Sequence, residues 1–344
     1  MTRVVARAPV RVADVGGWTD TWFARRGRVC HLAVGPGAEV TVRMEPGRAG
    51  EGTSVDLVAL GERRLIVVGT TPCGTDLLLH ALDAGLAGCG DAHLRVEVRS
   101  AVPPGASLGT SASVLVALLG ALDALRGGGR SPAEVARWAH EVETGPAGRE
   151  AGVQDQWAAA MGGAELLEID PYPDVRHHPV PLAPDVEQAL AERLVTVVFG
   201  AHDSSAVHRA VIDALGGGAG PLQAAERAAL DRLATSAGDA AAALGAGDLV
   251  AWAAVLSEAT AVQAELHAEL VGPAHRAAIA IAEQHRALGW KVNGAGGSGG
   301  SLTVVTTDRE ATERLEVALA AHDPGWAIVA LAPSAGLAIE STSP

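Results

Sequence analysis

Alternating and helically spaced apolar positions follow one another along the whole chain and predict a mixture of strands and helices. Val4 to Val15 alternates, which predicts a strand entering a Gly-Gly turn. Ala38 to Met44 and Ser54 to Val68 read as further strands, separated by a glycine-rich turn over Gly47 to Gly52. Helical spacing over Thr75 to Ala87 predicts a helix with Thr75 as N-cap, and His93 to Arg99 alternates again as HLRVEVR. Next, VPPGASLGTSASVLVALLGALDAL turns at Pro and Gly and runs directly into a long apolar helix. Ser131, Pro132 and Glu134 mark another helix start, since the Ser oxygen and the Glu carboxylate can satisfy amides left open there. Ala164 to Ile169 follows the Gly162-Gly163 turn as a strand.

Beyond the proline-rich PYPDVRHHPVPLAP the pattern changes. Leu194 to Phe199 is a short, continuously apolar strand, alanine-rich helical segments follow, and NGAGGSGG turns into the strand SLTVVTT. A helix, a strand at Trp326 to Leu331 and a short one at Gly336 to Glu340 complete the series. The change of character predicts two domains, 1–185 and 186–344. Without a regular βαβ rhythm, the class expected is α+β rather than a doubly wound sheet.

Composition narrows the function. The 344 residues suffice for one large or two medium domains with full cores. Aromatics make up only 3%, so Ala, Val, Leu and Gly must fill the interior. Lys291 is the only lysine, and Arg carries the rest of the positive charge. A net charge of −14 argues against a nucleic-acid partner, because phosphate backbones need clustered Lys and Arg. Cys30, Cys73 and Cys89 are odd in number and lack metal-ligand spacing, which predicts reduced thiols. MTRVVARAPVRV has no apolar leader, and no uninterrupted apolar run reaches membrane-spanning length. The expectation is a cytoplasmic protein with no membrane partner.

Four segments carry candidate chemistry. PPGASLGTSAS, from Pro103 to Ser113, sets small residues before a helix whose free amides and positive dipole end face the loop. Phosphate suits such a loop, and a plain helix start has the same appearance. The spacing is not that of a Walker A loop and no Lys follows, so a metal ion and an arginine must neutralise phosphate charge. HEVETGPAGREAGVQDQWAAAMGG sets Glu141 and Glu143 near the end of one helix and Asp155 near the start of the next. One such carboxylate can hold Mg²⁺ while another takes a proton from an attacking hydroxyl, or all can be solvated helix-end groups. Arg11 with GGWTDT offers Thr19 and Asp20 to sugar hydroxyls and Trp18 to a sugar face, where an ordinary Asp-capped turn reads equally well. NGAGGSGGS suits close approach to a backbone or a phosphate, or a structural turn.

In order and spacing these segments resemble the GHMP kinase superfamily, named for galactokinase, homoserine kinase, mevalonate kinase and phosphomevalonate kinase. The resemblance covers essentially the whole chain. RAPVRVADVGGWTDT and QDQWAAAMGG are most similar to L-fucose kinases and D-glycero-D-manno-heptose 7-phosphate kinases. The resemblance implies an α+β, two-domain GHMP kinase fold, with an N-terminal ribosomal-protein-S5-like domain and a C-terminal ferredoxin-like domain. It implies an enzyme using ATP and Mg²⁺ to phosphorylate a sugar or sugar-phosphate hydroxyl, the anomeric one, as a monomer or homodimer. The ATP loop is then Pro104, Gly105, Ala106, Ser107, Leu108, Gly109, Thr110, Ser111 and Ala112, with Ser111 and Glu143 as metal ligands. Asp155 falls on the catalytic base, and Arg11 on the arginine facing the reacting hydroxyl and the moving phosphate. Gly17, Trp18, Thr19, Asp20 and Gln154 fall on the substrate side, with Gly296 and Gly297 of the third loop, Gly294 to Gly300.

Departures from that pattern bear on the substrate. Ser107 replaces a glycine, and its Cβ crowds a nucleotide unless the backbone there keeps an ordinary φ. Gly16-Gly17-Trp18 argues against galactose, and Trp22 against fucose. Arg149 and Glu150 can read a charged or amino-bearing substrate or pair with each other. His202, Asp203, Ser204, Ser205 and His208 offer substrate contacts or a capped helix start. Arg25, Arg26 and Arg28 can hold a sugar phosphate or form a solvated patch. Two other readings stand beside the sugar kinase: a kinase of a cyclitol or other small alcohol, and a catalytically silent regulator that binds nucleotide or sugar. The complete set Arg11, Asp20, Ser111, Glu143 and Asp155 argues against the second.

Overall fold

The computed structural model describes residues 2–47, 50–59, 61–69, 76–200, 209, 211–215 and 222–342. Within them, β1 (Thr2–Val15), β2 (Gly27–Pro46), β3 (Thr53–Ala59), β4 (Glu62–Val67) and β5 (Ala92–Ser100) build most of a large sheet. β6 (Ala164–Ile169) and β7 (Val175–Val180) extend it from the first half of β2. A short strand, Ala332–Pro333, pairs with the middle of β2, and the strand Ala338–Thr342 lies along β1. Only β3 and β5 run parallel; the other pairs of this sheet are antiparallel.

The sequence pattern found only Ala38 to Met44 of the long strand β2, because Gly35, Pro36 and Gly37 interrupt its apolar alternation. The interval 54–68 is a hairpin of two strands rather than one continuous strand. α1 (Leu77–Leu86) is capped by Asp76, whose carboxylate accepts from the amides of Leu78 and Leu79. Thr75, the expected cap, lies outside the described residues. β7 escaped the pattern because Arg176, His177 and His178 break its apolar alternation and no residue in it is fully buried.

α2 (Thr110–Leu125), α3 (Pro132–Thr144) and α4 (Gln154–Met161) cover one face of this sheet. α2 is apolar nearly all round because it is buried nearly all round. Its Leu115, Leu118, Leu119 and Leu122 pack with Val4, Val40, Val42 and Val96 of the sheet, each Leu contributing about 1.5–3 kcal/mol by burial. Ser131 caps α3 with Glu134 closing the reciprocal bond, as its sequence predicts.

α5 (Pro184–Arg193) leads into β8 (Leu194–Val198). After α6 (Ala224–Gly245), α7 (Leu249–Leu266) and α8 (Pro273–Gln284) come β9 (Gly289–Val292), β10 (Ser301–Val305), α9 (Arg309–His322) and β11 (Ala327–Val329). The second sheet runs β11-β8-β10-β9, antiparallel throughout, which is the fourth-first-third-second order of a ferredoxin-like unit. α7 is long and apolar enough to cross a membrane by length and composition. Its Trp252, Ala253, Leu256, Ala259 and Val262 are instead packed inside, beside Leu230 and Leu233 of α6 and Val10, Val12 and Val15 of β1. That core ties the second half of the chain to the end of β1. The late strands are numbered β12 (Ala332–Pro333) and β13 (Ala338–Thr342).

Candidate active site

A cleft of about 700 Å³ opens where the end of β1, the start of α2, the start of α4 and the turn after β9 converge. Gly105, Ser107 and Gly109 have φ of +79°, +57° and +73°, so the loop coils tightly before α2 begins. Gly109 occupies the N-cap position, and no side chain caps the helix. The first amides of α2 therefore face the cleft, lined here by Thr110, Ser111 and Ala112, without an acidic residue in the first turn. A Cβ at Gly109 would lie 3.2 Å from the Asp155 carboxyl carbon, so glycine lets these two elements meet. Ser113 has a structural task, donating to the Ala8 carbonyl at 2.7 Å and accepting from the Ala38 amide at 3.1 Å.

β1 holds the loop in place. The Arg11 amide donates to the Leu108 carbonyl at 3.0 Å, and its Nη1 donates to the Ser107 carbonyl at 2.5 Å. Its Nε donates to Asp155 Oδ1 at 2.9 Å, and Nη1 lies 3.7 Å from Asp14 Oδ1. Burial works against the Arg11 charge, but Asp14 and Asp155 outweigh it and hold the group above its ordinary range. In a regular strand Arg11 and Asp14 would face opposite sides. A bulge between Val12 and Val15, with Ala13 at φ +55°, turns both toward the cleft. Asn293 stabilises the bulge by accepting from the Ala13 amide at 3.0 Å, while the Gly294 amide donates to the Asp14 carboxylate.

Two further carboxylates approach from α3 and from the turn after β1. Asp20 is buried and accepts from the Gln154 amide at 3.1 Å. Burial pushes its carboxyl up to about 6 and Asp155 adds to this, while the Gln154 amide pulls the other way. Glu143 is also buried and raised by burial, which the 2.6 Å bond from Gln156 Nε2 moderates. Behind these, Tyr172 donates to the Ala151 carbonyl at 3.0 Å and meets His140 Nε2 at 2.8 Å, bracing the segment that leads into α4.

Residues 76–163 match the GHMP kinases N terminal domain family, a span holding the α2 loop, Glu143 and Asp155. A mevalonate kinase of Thermococcus sibiricus (strain DSM 12597 / MM 739) is 43% identical over 68 residues, 20% of this chain and only 20% of that protein's length. Over nearly the whole chain, the structure is similar to a D-glycero-D-manno-heptose 1-phosphate kinase from Bacteriodes thetaiotaomicron, with a TM-score of 0.73, 18% identity and 99% of both chains covered. The chain has the GHMP kinase fold. It is also similar to Lactococcus lactis galactokinase complexed with galactose, with a TM-score of 0.71, 16% identity and 98% and 95% of the two chains covered. For Methanococcus jannaschii mevalonate kinase the TM-score is 0.72, at 14% identity and 96% and 98% coverage. At such identities the likeness carries the fold alone.

Within this GHMP kinase fold, most of the residues expected from sequence meet in the one cleft. Arg11, Gly17, Trp18, Asp20, Gly105, Ser107, Leu108, Gly109, Thr110, Ser111, Ala112, Glu143, Gln154 and Asp155 all line it. Five do not. Pro104 points to solvent, and Ala106 is buried in the core rather than facing a ligand. Thr19 is committed to its own turn, its hydroxyl donating to the Gly16 carbonyl at 2.7 Å and accepting from the Arg28 amide at 3.1 Å. Gly296 and Gly297 pack behind the cleft, where a Cβ at Gly296 would run into the Leu270 carbonyl; Gly294 and Ala295 are the residues of that loop that reach the cleft. Ser107 takes φ +57° rather than the ordinary φ expected, yet the cleft it lines stays open at about 700 Å³, so its Cβ does not fill the site.

Arg149 and Glu150 both line the cleft, whereas Arg26 and Arg28 pair with Asp170 and Glu168 on the surface and Arg25 is exposed. His202, Asp203, Ser204, Ser205 and His208 lie outside the described residues. Sequence reasoning missed Asp14, Arg209 and Asp213, which also line the cleft. An acid inside the apolar run VRVADV was a usable signal for Asp14; nothing local marks the other two.

Proposed function

We propose that this chain is an ATP-dependent kinase that phosphorylates a hydroxyl of a small sugar or sugar phosphate, the anomeric one. The observation that carries this reading is the 2.9 Å bond between Arg11 Nε and Asp155 Oδ1, made beside the uncapped start of α2. The residues present fit a nucleotide triphosphate with Mg²⁺. The α2 amides have no capping side chain, and the Ser107 and Thr110 hydroxyls are buried without a protein partner, as suits donors kept for an anion. Ser111 and Glu143 would hold Mg²⁺, which supplies positive charge against the phosphates. Among the described residues no cluster of three or more His, Cys, Asp or Glu forms a protein-only metal cage. Mg²⁺ is commonly held through one or two carboxylates and the phosphates themselves, so this donor set suits it.

The chain's own groups divide the work. Asp155, with its side chain 31% exposed, takes or orients the proton of the attacking hydroxyl. Arg11 is held charged between two carboxylates and faces both the attacking oxygen and the charge that moves with the phosphoryl group. Asp20 accepts from sugar hydroxyls, and Gln154 Oε1, buried without a partner, offers a second acceptor.

The test is ATP consumption with Mg²⁺ against free sugars, heptose phosphates and cyclitols, with wild type beside Asp155→Asn. Turnover on a sugar that falls roughly 10²-fold or more in the variant supports the reading. Near-native kcat in Asp155→Asn removes the base assignment, and turnover on cyclitols alone replaces the sugar. No turnover on any panel member despite ATP binding removes the kinase reading.

A further inference from the structure

We infer that Lys291 is a positioning residue whose charge holds Asp14 and thereby keeps Arg11 on Asp155. Lys291 is the only lysine in a chain that otherwise uses arginine for every cation, and it is 2% exposed. Its Nζ donates to Gln263 Oε1 at 2.6 Å and to the Val292 carbonyl. Neither acceptor carries charge, and burying an unpaired ammonium is costly. Burial holds the Lys291 ammonium below its ordinary range and Arg11 adds to this; the anion that opposes them and favours the charged form is Asp14. The two line one small gap with Gly17, Trp18, Gln263 and Gly294, too narrow to admit a water molecule. Charges facing a dry gap interact far more strongly than they do across solvent.

Three buried charges, Lys291, Asp14 and Arg11, alternate in sign and end on the partly exposed Asp155. Arg11 occupies the decisive place, 2.9 Å from Asp155 and 3.7 Å from Asp14. Two carboxylates compete for one guanidinium, and Lys291 satisfies the one that must not win. With Lys291 neutral, Arg11 is the remaining cation beside Asp14, and closing that gap to an ordinary ion pair displaces the guanidinium by nearly 1 Å. The same lysine fixes the neighbouring loop, since Gln263 Nε2 donates to the Gly294 carbonyl at 2.8 Å and the Gly294 amide donates to Asp14.

The experiment is a double-mutant cycle in the full chain: Lys291→Met, Asp14→Asn and the pair together. It reads kcat and KM on an accepted sugar and unfolding in urea. A displacement of this size costs about 10²-fold in kcat, so Lys291→Met should fall by that amount with KM for ATP nearly unchanged. Asp14→Asn should also fall, because Arg11 and Lys291 then repel each other with no anion between them. The double variant should recover at least about tenfold over Lys291→Met, and more urea should be needed to unfold it than to unfold either single variant. A purely packing role for Lys291 gives no such recovery. Lys291→Met within about threefold of wild-type kcat, or a double variant no better than Lys291→Met, overturns the inference. The activity arm rests on the kinase reading; the unfolding arm does not. If wild type turns over no member of the acceptor panel, the kinase reading has failed, and the unfolding arm decides alone, with recovery in the double variant upholding the charge line and additive losses overturning it.

Discussion

Replacing Ser107 by glycine should make the protein more stable and its hold on ATP weaker. Ser107 has φ +57°, a region that costs a residue bearing a Cβ about 1–2 kcal/mol. Its hydroxyl is buried with no protein partner, and a buried unsatisfied group costs about 1–3 kcal/mol. Glycine removes both terms and gives back about 0.5–1 kcal/mol through the greater freedom of the unfolded chain. The net gain is roughly 2 kcal/mol, which for a urea slope near 3 kcal/mol/M raises the midpoint by about 0.7 M. A hydroxyl kept for a phosphate oxygen contributes about 1.5–3 kcal/mol when the ligand is bound, so KM for ATP should rise roughly tenfold to a hundredfold. Urea denaturation of the ligand-free protein and steady-state kinetics read the two effects separately. An unchanged or lower midpoint refutes the strain argument, and an unchanged KM for ATP refutes the assignment of the hydroxyl to phosphate.

Three more expectations follow from the same geometry. Asp20 stays protonated in the folded protein up to about pH 6 but ionises near 4 once unfolded, so stability should fall as pH rises between those values, by up to about 3 kcal/mol. Asp20→Asn should abolish that slope, unfolding later than wild type at pH 7 and level with it near pH 4; a variant retaining the slope would show another group responsible. In wild type, KM for the sugar should climb as pH drops below about 6, where Asp20 gains a proton. Arg26 is 76% exposed in its pair with Asp170, so replacing Arg25 and Arg26 by Ser should change stability by under about 1 kcal/mol and leave KM for the sugar unaltered. A KM rise there would bring the patch back to the substrate.

The parts of the site legible in the sequence are those written in local backbone chemistry. Small residues ahead of an apolar helix announced the α2 loop, and Ser131 with Glu134 announced the start of α3. Arg11, Asp20, Glu143 and Asp155 were reached through resemblance rather than through spacing alone, since no rule of strand or helix brings them together. Asp14 stayed hidden because strand alternation sends it away from Arg11, and only the bulge at Ala13 reverses that. Thr19 lies off the cleft lining, and a hydroxyl that ties its own turn looks, in sequence, like one that serves a ligand. β7 was obscured by its polar residues, and the pairing of β13 with β1 is a contact across the chain that no local pattern carries.

That last pairing bears on how the protein comes into being. Arg7 on β1 and its ion-pair partner Glu340 on β13 stand 333 positions apart. Translation at about 5–20 residues per second leaves the outer edge of β1 without its native neighbour for on the order of tens of seconds. During that time β1 has β2 on one side and an open row of amides and carbonyls on the other, the kind of edge onto which foreign strands add. The order of synthesis thus makes the first strand of the sheet the last to be sealed. Chains cut short before Ala338 would keep that edge open permanently.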